Sequence, residues 1–569
     1  MNDSSSLPRV SMLIIAVVQG ILLFALYRAF DSNFWPSESP IWSYPLWTLA
    51  TAVPLLLLLS LNHGNERRVV QLVAGFAAVL TLLAVYTGWQ AEPFGEFPLW
   101  SLSFAFTASI TLACFKALMY MQQRANQVSL TYQVLFTNSW RNFLVTALSA
   151  IFVFIFWLIL MLWGALFRVI EIDFFRDLFQ EDWFIFPVLG FALGLGMIIF
   201  RNLTRVIDNI TKLLHGLIKL LLPLIIVVAV IFLAALPFVG LDVLWSTGRG
   251  TALLLWLLAI LLFFTNAVYQ DGRETNPYSP LIHRLIFSGL CVMPIVSALS
   301  LYGLVLRLNQ YGWTVERCWA FVVWFIVTLI AVGYVAGIIR RRSEWTSDLA
   351  RVNTAMGLVV LAIMLLANSP LLDFRKISLA SQLNRVDSGE IELREFDFWY
   401  TKNNLARAGY LAMEKMKQEV GDSDPELLNL INNPVNRWGA QRLRSAEDMW
   451  ASMLYRPESF EVPDSLKVFI NSQHFGYTDG EPVLMRADLD SDGQNEFLLF
   501  VLQQQGMAYS QFYYLTDDGW KTGTLNQTGW LYGGDEVHEK IKNGDIEIVE
   551  PRFKHLDIDG FLLQPSTGN

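Results

Sequence analysis

One short stretch of the sequence combines residue types that could bind a metal ion. It reads DLDSDGQNE over positions 488–496. Carboxylates at positions 1, 3 and 5 of such a loop can converge on one cation, and the glycine at position 6 permits a sharp turn. Position 7 offers a backbone carbonyl, position 9 can complete the shell, and oxygen ligands of this kind suit Ca²⁺. The spacing therefore predicts a calcium site formed by Asp488, Asp490, Asp492, Gln494 and Glu496.

The loop differs from an EF-hand in ways that leave a second interpretation open. Position 12, where an EF-hand has a bidentate glutamate, is Leu499. A β-rich stretch, Glu496 to Leu502, follows the loop where an EF-hand would continue as a helix. The pattern looks more like the strand–loop–strand calcium loops of β-rich extracellular repeats, in which the ion has a structural role. The alternative is an acidic hairpin that binds nothing.

The remaining reactive residue types form no recognisable catalytic pattern in the sequence. The six histidines include no His-x-x-x-His pair, and none has an evident serine or cysteine nucleophile as a partner. Gly-x-Ser-x-Gly, Walker A and dinucleotide-binding patterns are missing. The three cysteines all lie in or beside apolar segments, where they suit helix packing. The sequence alone therefore leaves open whether the protein is an enzyme.

The elements that carry these residues follow from the composition. Of the 569 residues, 54% are hydrophobic and 16% are charged, against about 25% charged in an ordinary soluble protein. This balance indicates a membrane protein with many apolar helices. Each of eleven segments is close to the roughly 20 residues that cross a bilayer. These are residues 10–30, 42–62, 69–89, 99–120, 143–167, 184–200, 217–239, 250–269, 284–306, 317–339 and 352–369.

Charge divides the chain into two parts. Residues 371–569 contain 19 Lys and Arg and 32 Asp and Glu, which gives a net charge of −13. The first 370 residues contain the other 22 Lys and Arg and 18 Asp and Glu, which gives a net charge of +4. We therefore predict a transmembrane helical domain over 1–370, a helical extramembrane region over 371–464 and a small β-rich subdomain over 465–569. Strands are expected at 482–487, 496–503, 511–516 and 545–550. An acidic soluble part of this kind argues against nucleic acid as a partner.

Two segments of the membrane part allow more than one interpretation. Gly190 and Gly194 form a Gly-xxx-Gly step, which predicts close helix packing either inside the bundle or at a homodimer face. Residues 201–219 are basic and apolar at helical spacing. They predict an interfacial helix on anionic lipid, with a substrate site as the alternative.

The distribution of positive charge predicts the orientation in the membrane. Loops and helix ends on the side of the N-terminus contain 15 Lys and Arg, and those on the other side contain 6. Because cytoplasmic loops are enriched in these residues, we expect a cytoplasmic N-terminus. Eleven crossings then place the acidic domain on the far side, which in a Gram-negative bacterium is the periplasm.

Two further stretches carry a family resemblance. Residues 301–320 read LYGLVLRLNQYGWTVERCWA and contain Tyr311-Gly312-x-Thr314-x-x-Arg317, and residues 374–400 read FRKISLASQLNRVDSGEIELREFDFWY. Together they resemble a bacterial inner-membrane family labelled domain of unknown function 4153, mainly over residues 10–410. The resemblance implies a polytopic membrane protein with a domain after the helices, and it supplies no catalytic residues. The acidic loop at Asp488 lies beyond it.

The first of these stretches has two physical interpretations. Tyr311 and Gly312 predict a tight turn between two membrane helices, with Thr314 capping the second helix. Alternatively, Arg307 and Arg317, which flank the turn, could bind the phosphate of a lipid headgroup at the outer leaflet.

Three functional classes are consistent with these observations. The favoured one is an integral inner-membrane envelope protein that presents a periplasmic interaction domain to a protein partner, stabilised by Ca²⁺ and in contact with membrane lipids. The alternatives are a membrane-embedded enzyme acting on a lipid-linked substrate and a transporter of lipid-like molecules. The scarcity of charge at the helix centres disfavours ion-coupled transport. A homo-oligomer is compatible with all three.

Overall fold

The architecture comes from a computed structural model of the whole chain. It describes residues 7–563 apart from 241–243, 246–248, 270–276, 343–344, 422, 435–445, 458–459, 473–480, 504–505, 517–518, 526–533, 547–555 and 559–560. The chain divides into two compact units. The first comprises residues 1–396 and 400–428, and the second comprises 397–399 and 429–569.

The first unit is helical. Its helices up to the last apolar one are α1 Arg9–Asp31, α2 Pro40–Ser60, α3 Glu66–Gln90, α4 Trp100–Ala125, α5 Tyr132–Val169, α6 Phe174–Gln180, α7 Asp182–Asn202, α8 Thr204–Val239, α9 Gly250–Tyr269, α10 Pro280–Leu290, α11 Met293–Tyr311, α12 Val315–Arg341 and α13 Thr346–Leu366. More polar helices follow after a 3₁₀ turn at Pro370–Leu372, namely α14 Phe374–Asp387, α15 Phe398–Asn404, α16 Ala406–Val420 and α17 Pro425–Asn432.

Eleven spans within α1–α13 are long and apolar enough to cross a membrane, with α10 and α11 counted as one. The most apolar 18-residue window of each span is only 17–44% buried inside the protein. Large apolar side chains such as Phe104, Leu220 and Ile231 lie exposed on these helices. A surface of this kind requires lipid around it. The prediction of a multi-pass membrane bundle with eleven spans is therefore confirmed.

One predicted detail of the bundle differs from the structure. Residues 204–239 form one continuous 36-residue helix, so most of the predicted interfacial segment 201–219 is the first half of α8. The chain breaks at Leu203, before α8, rather than near Lys219. Residues 174–180, in contrast, form the separate helix α6 after a left-handed Glu171.

Several groups of buried apolar side chains, among them the following two, hold the bundle together. One lies among α1, α2, α5, α7 and α8 and includes Met12, Leu58 and Met197. The other lies among α8–α13 and includes Ile226, Leu258 and Tyr334. Because lipid tails are as apolar as these side chains, close packing contributes more than burial to helix association.

The second unit is built on a five-stranded sheet of order β1-β2-β3-β4-β5. Its strands are β1 Leu454–Arg456, β2 Glu481–Ala487, β3 Glu496–Gln503, β4 Gly506–Thr516 and β5 Gly519–Thr524. β1 pairs with β2 in parallel, and the other neighbours are antiparallel. The unit also contains α18 Ala446–Ala451, α19 Asp464–Ser472, α20 Gly534–Asn543 and a separate hairpin of β6 Leu556–Ile558 and β7 Phe561–Leu563.

Alternate residues of the central strands are buried on opposite faces of this sheet. Leu484 and Leu499 pack with Leu466 of α19 on one face. Val483 and Leu498 pack with Ile541 of α20 on the other. The period of two in a strand places successive side chains on opposite faces, so both faces of β2 and β3 form core. The expected strand at 545–550 lies mostly outside the described residues.

Candidate functional site

The acidic loop at 488–496 connects β2 to β3. The two strands pair up to Ala487 and Glu496, so the first and last acids of the loop stand at the end of the ladder. Ser491 and Gly493 have positive φ angles of 63° and 87°, which turn the chain sharply between them. Carboxylate oxygens of Asp488, Asp490 and Glu496 lie within 4.8 Å of one another.

Backbone N–H groups fix the orientation of these acids. Glu496 is only 6% exposed and accepts a hydrogen bond from Leu489 N at 2.6 Å. Asp488 Oδ2 accepts one from Gly493 N at 3.0 Å, whereas its Oδ1 is buried without a hydrogen-bond partner among the described atoms. A buried, unsatisfied carboxylate oxygen is costly. The loop therefore offers the carboxylate oxygen ligands that a hard cation prefers, and a cation would also satisfy the unpartnered Asp488 Oδ1.

The other two residues of the predicted site are placed differently. Asp492 Oδ1 accepts a hydrogen bond from Gln494 N at 2.6 Å, forming a turn of its own. Asp492 also donates its own N–H to Asp490 Oδ1 at 3.2 Å. The structure thus brings Asp488, Asp490 and Glu496 together, and calcium binding by these three, as by Asp492 and Gln494, stays a prediction.

Arg307 and Arg317 lie against the same aromatic ring. Their guanidinium carbons are 5.9 Å and 5.3 Å from the centre of the Tyr311 ring. Arg317 Nη1 also donates to the carbonyl oxygens of Gly312 at 2.8 Å and Tyr311 at 3.3 Å. Arg307 makes longer contacts, to Gln310 Oε1 at 3.3 Å and to a main-chain carbonyl at 3.4 Å. Binding of a lipid headgroup by this pair stays a prediction.

The turn between α11 and α12 is held by the helix that follows the last span. Trp313 N donates to Ser381 Oγ at 2.9 Å, and Ser378 Oγ donates to Trp313 O at 3.2 Å. Thr314 caps α12 by accepting from Arg317 N, as predicted. The two stretches that carry the family resemblance are therefore in contact with each other.

Tyr400 and Gly312 complete this contact. Tyr400 Oη accepts a hydrogen bond from Val315 N at 2.7 Å, which satisfies one of the free N–H groups at the start of α12. Gly312 has φ 67° and ψ −174°, a backbone conformation reserved almost entirely for glycine. A Cβ there would lie 3.0 Å from atoms of Ser381, Gln382 and Arg385. The glycine thus permits both the turn and the close approach of α14.

Asp373 attaches the start of α14 to α3. Its Oδ1 caps the helix by accepting from Arg375 N and Lys376 N. Its Oδ2 accepts from Tyr86 Oη at 2.7 Å and from Gln90 Nε2 at 2.9 Å. Beside it, the Arg375 side chain is only 8% exposed, and burial lowers the pKa of its guanidinium while Asp373 acts in the opposite direction.

A polar cavity of about 370 Å³ lies at the other end of the bundle. Ends of α2, α4 and α7 and the beginnings of α5 and α8 surround it. Its described lining contains two arginines and no aspartate or glutamate. The polar side chains of this lining include Ser60, Asn62, Gln122, Asn138, Arg141 and Arg201.

Hydrogen bonds hold the arginines of this cavity in place. Arg201 is only 9% exposed and donates to Leu58 O and to Asn62 Oδ1, the latter at 2.9 Å. Arg141 donates from Nη2 to Arg201 O at 2.9 Å. Gln122 and the neighbouring Asn142 exchange two amide hydrogen bonds of 3.1 Å and 2.9 Å. The polar groups are therefore fixed before any ligand arrives.

Sequence reasoning did not assemble this cavity, although a signal for it was present. In the sequence, Arg141 is one of the positive charges at helix ends, and Arg201 begins the basic segment 201–219, for which a substrate site was the alternative interpretation. Amides recur at the ends of the spans on the same side, at Asn62, Gln122 and Asn202. Collecting polar side chains from span ends on one side would have brought these residues together.

Comparison with known proteins gives one match. The model of the family described as Domain of unknown function (DUF4153) matches residues 20–416. This range includes the contact between the α11–α12 turn and α14 and nearly all of the polar cavity, whereas the acidic loop lies outside it. No curated protein and no solved structure matches the chain.

Proposed function

Because this chain belongs to the DUF4153 family, whose model covers its membrane helices, we propose that it is an inner-membrane protein that presents a calcium-stabilised interaction domain to the periplasm. The membrane helices act as the anchor, and the sheet-containing unit meets a protein partner. The observation that carries the calcium part is the convergence of the Asp488, Asp490 and Glu496 carboxylates, together with the buried Asp488 Oδ1, which has no hydrogen-bond partner among the described atoms.

The periplasmic location rests on charge and on the number of spans. The side that contains the N-terminus has 15 Lys and Arg against 6 on the opposite side. The part of the chain that the structure describes contains eleven spans, an odd number, which supports opposite sides for the N-terminus and for the chain after Leu366.

Polar side chains inside the membrane support an anchoring role over ion-coupled transport. Asn266 on α9 is the centre of the clearest buried polar network. Its Oδ1 accepts from Tyr334 Oη at 2.6 Å and from Tyr132 Oη at 3.2 Å, and it also binds Asn353 Nδ2. These partners are neutral and satisfy one another, as expected of groups that hold helices together.

Cysteine labelling tests the orientation. Val468 is exposed on α19 of the second unit, and Arg67 is exposed at the start of α3. In cells with a permeabilised outer membrane, an impermeant maleimide should label V468C above the wild-type background from Cys114, Cys291 and Cys318. R67C should react only after lysis. Labelling of R67C in intact cells with protection of V468C would contradict the proposed orientation.

Thermal unfolding of the full chain in detergent tests the calcium part. Addition of Ca²⁺ should raise the unfolding temperature of the second unit, because a ligand at about 100 times its Kd stabilises by about 2.7 kcal/mol. D490N and E496Q should lose this response, while E461Q, which removes an exposed acid outside the loop, should keep it. Without calcium, D490N should unfold no earlier than the wild type, since it removes repulsion between acids. If calcium leaves the unfolding temperature of the wild type unchanged, the calcium site is refuted, whereas the proposed orientation in the membrane is not affected.

A further inference from the structure

We propose that the polar cavity lined by Arg141 and Arg201 binds the anionic phosphate group of a phosphoester. The described lining of this cavity lies entirely in the first unit and includes neither residues of the acidic loop nor Arg307 and Arg317. A ligand bound in this cavity would give the membrane helices a binding function in addition to anchoring.

The charge of the lining is the first argument. Arg141 and Arg201 both line the cavity, and its described lining includes no acid. The acid that acts on Arg141 is Asp208 on α8, which attracts it electrostatically from outside the lining. The cavity therefore retains positive charge. Planar guanidinium groups match the geometry of phosphate oxygens better than any other side chain.

Fixed geometry is the second argument. Arg201 is buried and positioned by Leu58 O and Asn62, and its own carbonyl holds Arg141. Arg201 is buried and Arg141 is exposed. A buried cation is unfavourable without an anion beside it, and the described lining offers Arg201 no acid. Hydrogen bonds that nevertheless hold the guanidinium of Arg201 at the cavity leave it arranged for an incoming negative group.

An unsatisfied polar atom is the third argument. Ser60 lines the cavity, its side chain is 2% exposed, and its Oγ has no hydrogen-bond partner among the described atoms. Buried hydroxyl groups in native proteins are nearly always paired. A ligand oxygen in the cavity would satisfy Ser60 Oγ, and the Asn138 amide in the same lining offers a further donor.

The size of the cavity identifies the class of phosphoester. A volume of about 370 Å³ is within the range of small-molecule sites and is much larger than a single phosphate ion needs. The lining also includes the apolar side chains of Leu7, Leu59 and Val145. The fitting ligand is a phosphoester of headgroup size, such as a glycerol phosphate, either free in solution or attached to a lipid.

Direct binding to the full chain distinguishes the two sources. Soluble sn-glycerol 3-phosphate is titrated calorimetrically into the detergent-purified protein, with glycerol as the uncharged control. Phosphatidylglycerol is presented in nanodiscs and its retention is measured by native mass spectrometry against phosphatidylcholine. Binding of the soluble probe assigns a free phosphoester, and selective retention of phosphatidylglycerol alone assigns a lipid headgroup.

Variants separate the cavity from the general positive charge of this surface. R141Q should weaken binding of the phosphate probe at least tenfold, because one charge-assisted contact is lost. R205Q removes the same charge from an exposed position at the start of α8, outside the lining, and should change binding less than twofold. N138L tests the lining without touching an arginine and should also weaken binding.

Folding of each variant is checked by its unfolding temperature, and R201Q is avoided because Arg201 holds the end of α2. If neither probe binds the wild type, the proposal is wrong. It is equally wrong if R141Q, N138L and R205Q weaken binding to the same extent, since this would show a diffuse surface effect.

Discussion

The side-chain amide of Gln382 donates a hydrogen bond to the main-chain carbonyl of Tyr311 at 2.9 Å. The same nitrogen donates to Trp313 O, also at 2.9 Å. Tyr311 ends α11, and Gln382 lies on α14, after the last membrane span. The connection between two membrane helices is thus held by a helix outside the spans, within the region that defines the family.

Removal of the Gln382 amide should therefore destabilise the first unit. Q382A leaves the Tyr311 and Trp313 carbonyls without this donor, and two hydrogen bonds of about 1 kcal/mol each predict a loss of about 2 kcal/mol. Asn384 is exposed on the same helix, so N384A serves as the control and should be within about 0.5 kcal/mol of wild type. Chemical unfolding of the detergent-solubilised chain measures both. Equal effects would show that the contact is energetically unimportant.

The glycine in the same turn allows a sharper test. G312A forces a side chain into a conformation that costs about 1–3 kcal/mol and also toward three atoms of α14. Gly389 likewise has a positive φ, of 75°, but a Cβ there would meet nothing within 4 Å. G312A should lower the unfolding temperature clearly more than G389A. Similar effects would indicate that α14 moves away without penalty.

Arg307 and Arg317 should differ in their effect on stability. Arg317 donates to two carbonyl oxygens of the turn, so R317Q should lose about 2 kcal/mol, whereas R307Q should lose about 0.5 kcal/mol. Native mass spectrometry of co-purified phospholipid tests the headgroup interpretation of the same pair. A loss of bound lipid in both variants would support it, and unchanged lipid with the stability difference would assign a purely structural role.

Asp373 should be the most sensitive acid of α14. D373A removes a helix cap and the acceptor for Tyr86 and Gln90, and it leaves buried Arg375 without its nearest acid. Caps contribute about 1 kcal/mol and a buried uncompensated charge several more, so we expect a loss of about 3 kcal/mol. At the opposite end of the helix, D387A removes an exposed acid that opposes the helix dipole and should be neutral or slightly stabilising. Urea unfolding of the two variants gives the comparison.

The membrane spans, the acidic loop and the helix cap at Thr314 could be predicted because each depends on residues that are close together in the sequence. Each membrane span is a local run of apolar side chains, so all eleven were predictable from composition within a window. The acidic loop also depends on local spacing, which is why the approach of Asp488 to Asp490 could be expected. The Thr314 cap follows from its own helix start in the same way.

Contacts across long stretches of chain were not predictable in this manner. Both family stretches were visible in the sequence, but the pairing of Trp313 with Ser381 joins residues 68 positions apart. The cavity draws Ser60, Arg141 and Arg201 from three helices whose order in space is not encoded by hydropathy. The side of the membrane on which each span ends could be read from the sequence, but hydropathy does not say which spans are neighbours, so the cavity itself became visible only in the structure.

The glycines of α7 show how the structure separates two interpretations of one motif. A Cβ on Gly190 would lie 2.5 Å from Ala16 O on α1, and a Cβ on Gly194 would lie 2.7 Å from Ala16 Cβ. The small residues therefore allow α1 and α7 to pack closely within one chain. This is the internal packing that the sequence offered as one of two possibilities.

Alanine substitution distinguishes internal packing from a dimer face. G190A should destabilise the chain by about 1–3 kcal/mol, since backbone atoms of α1 cannot move aside as a flexible side chain could. A Cβ on Gly216 of α8 would meet nothing within 4 Å, so G216A should be neutral or stabilising by up to about 1 kcal/mol. Unfolding and native mass spectrometry are measured on the same samples. If Gly190 instead formed a dimer face, G190A would change the oligomeric state while the unfolding temperature of the monomer stayed the same.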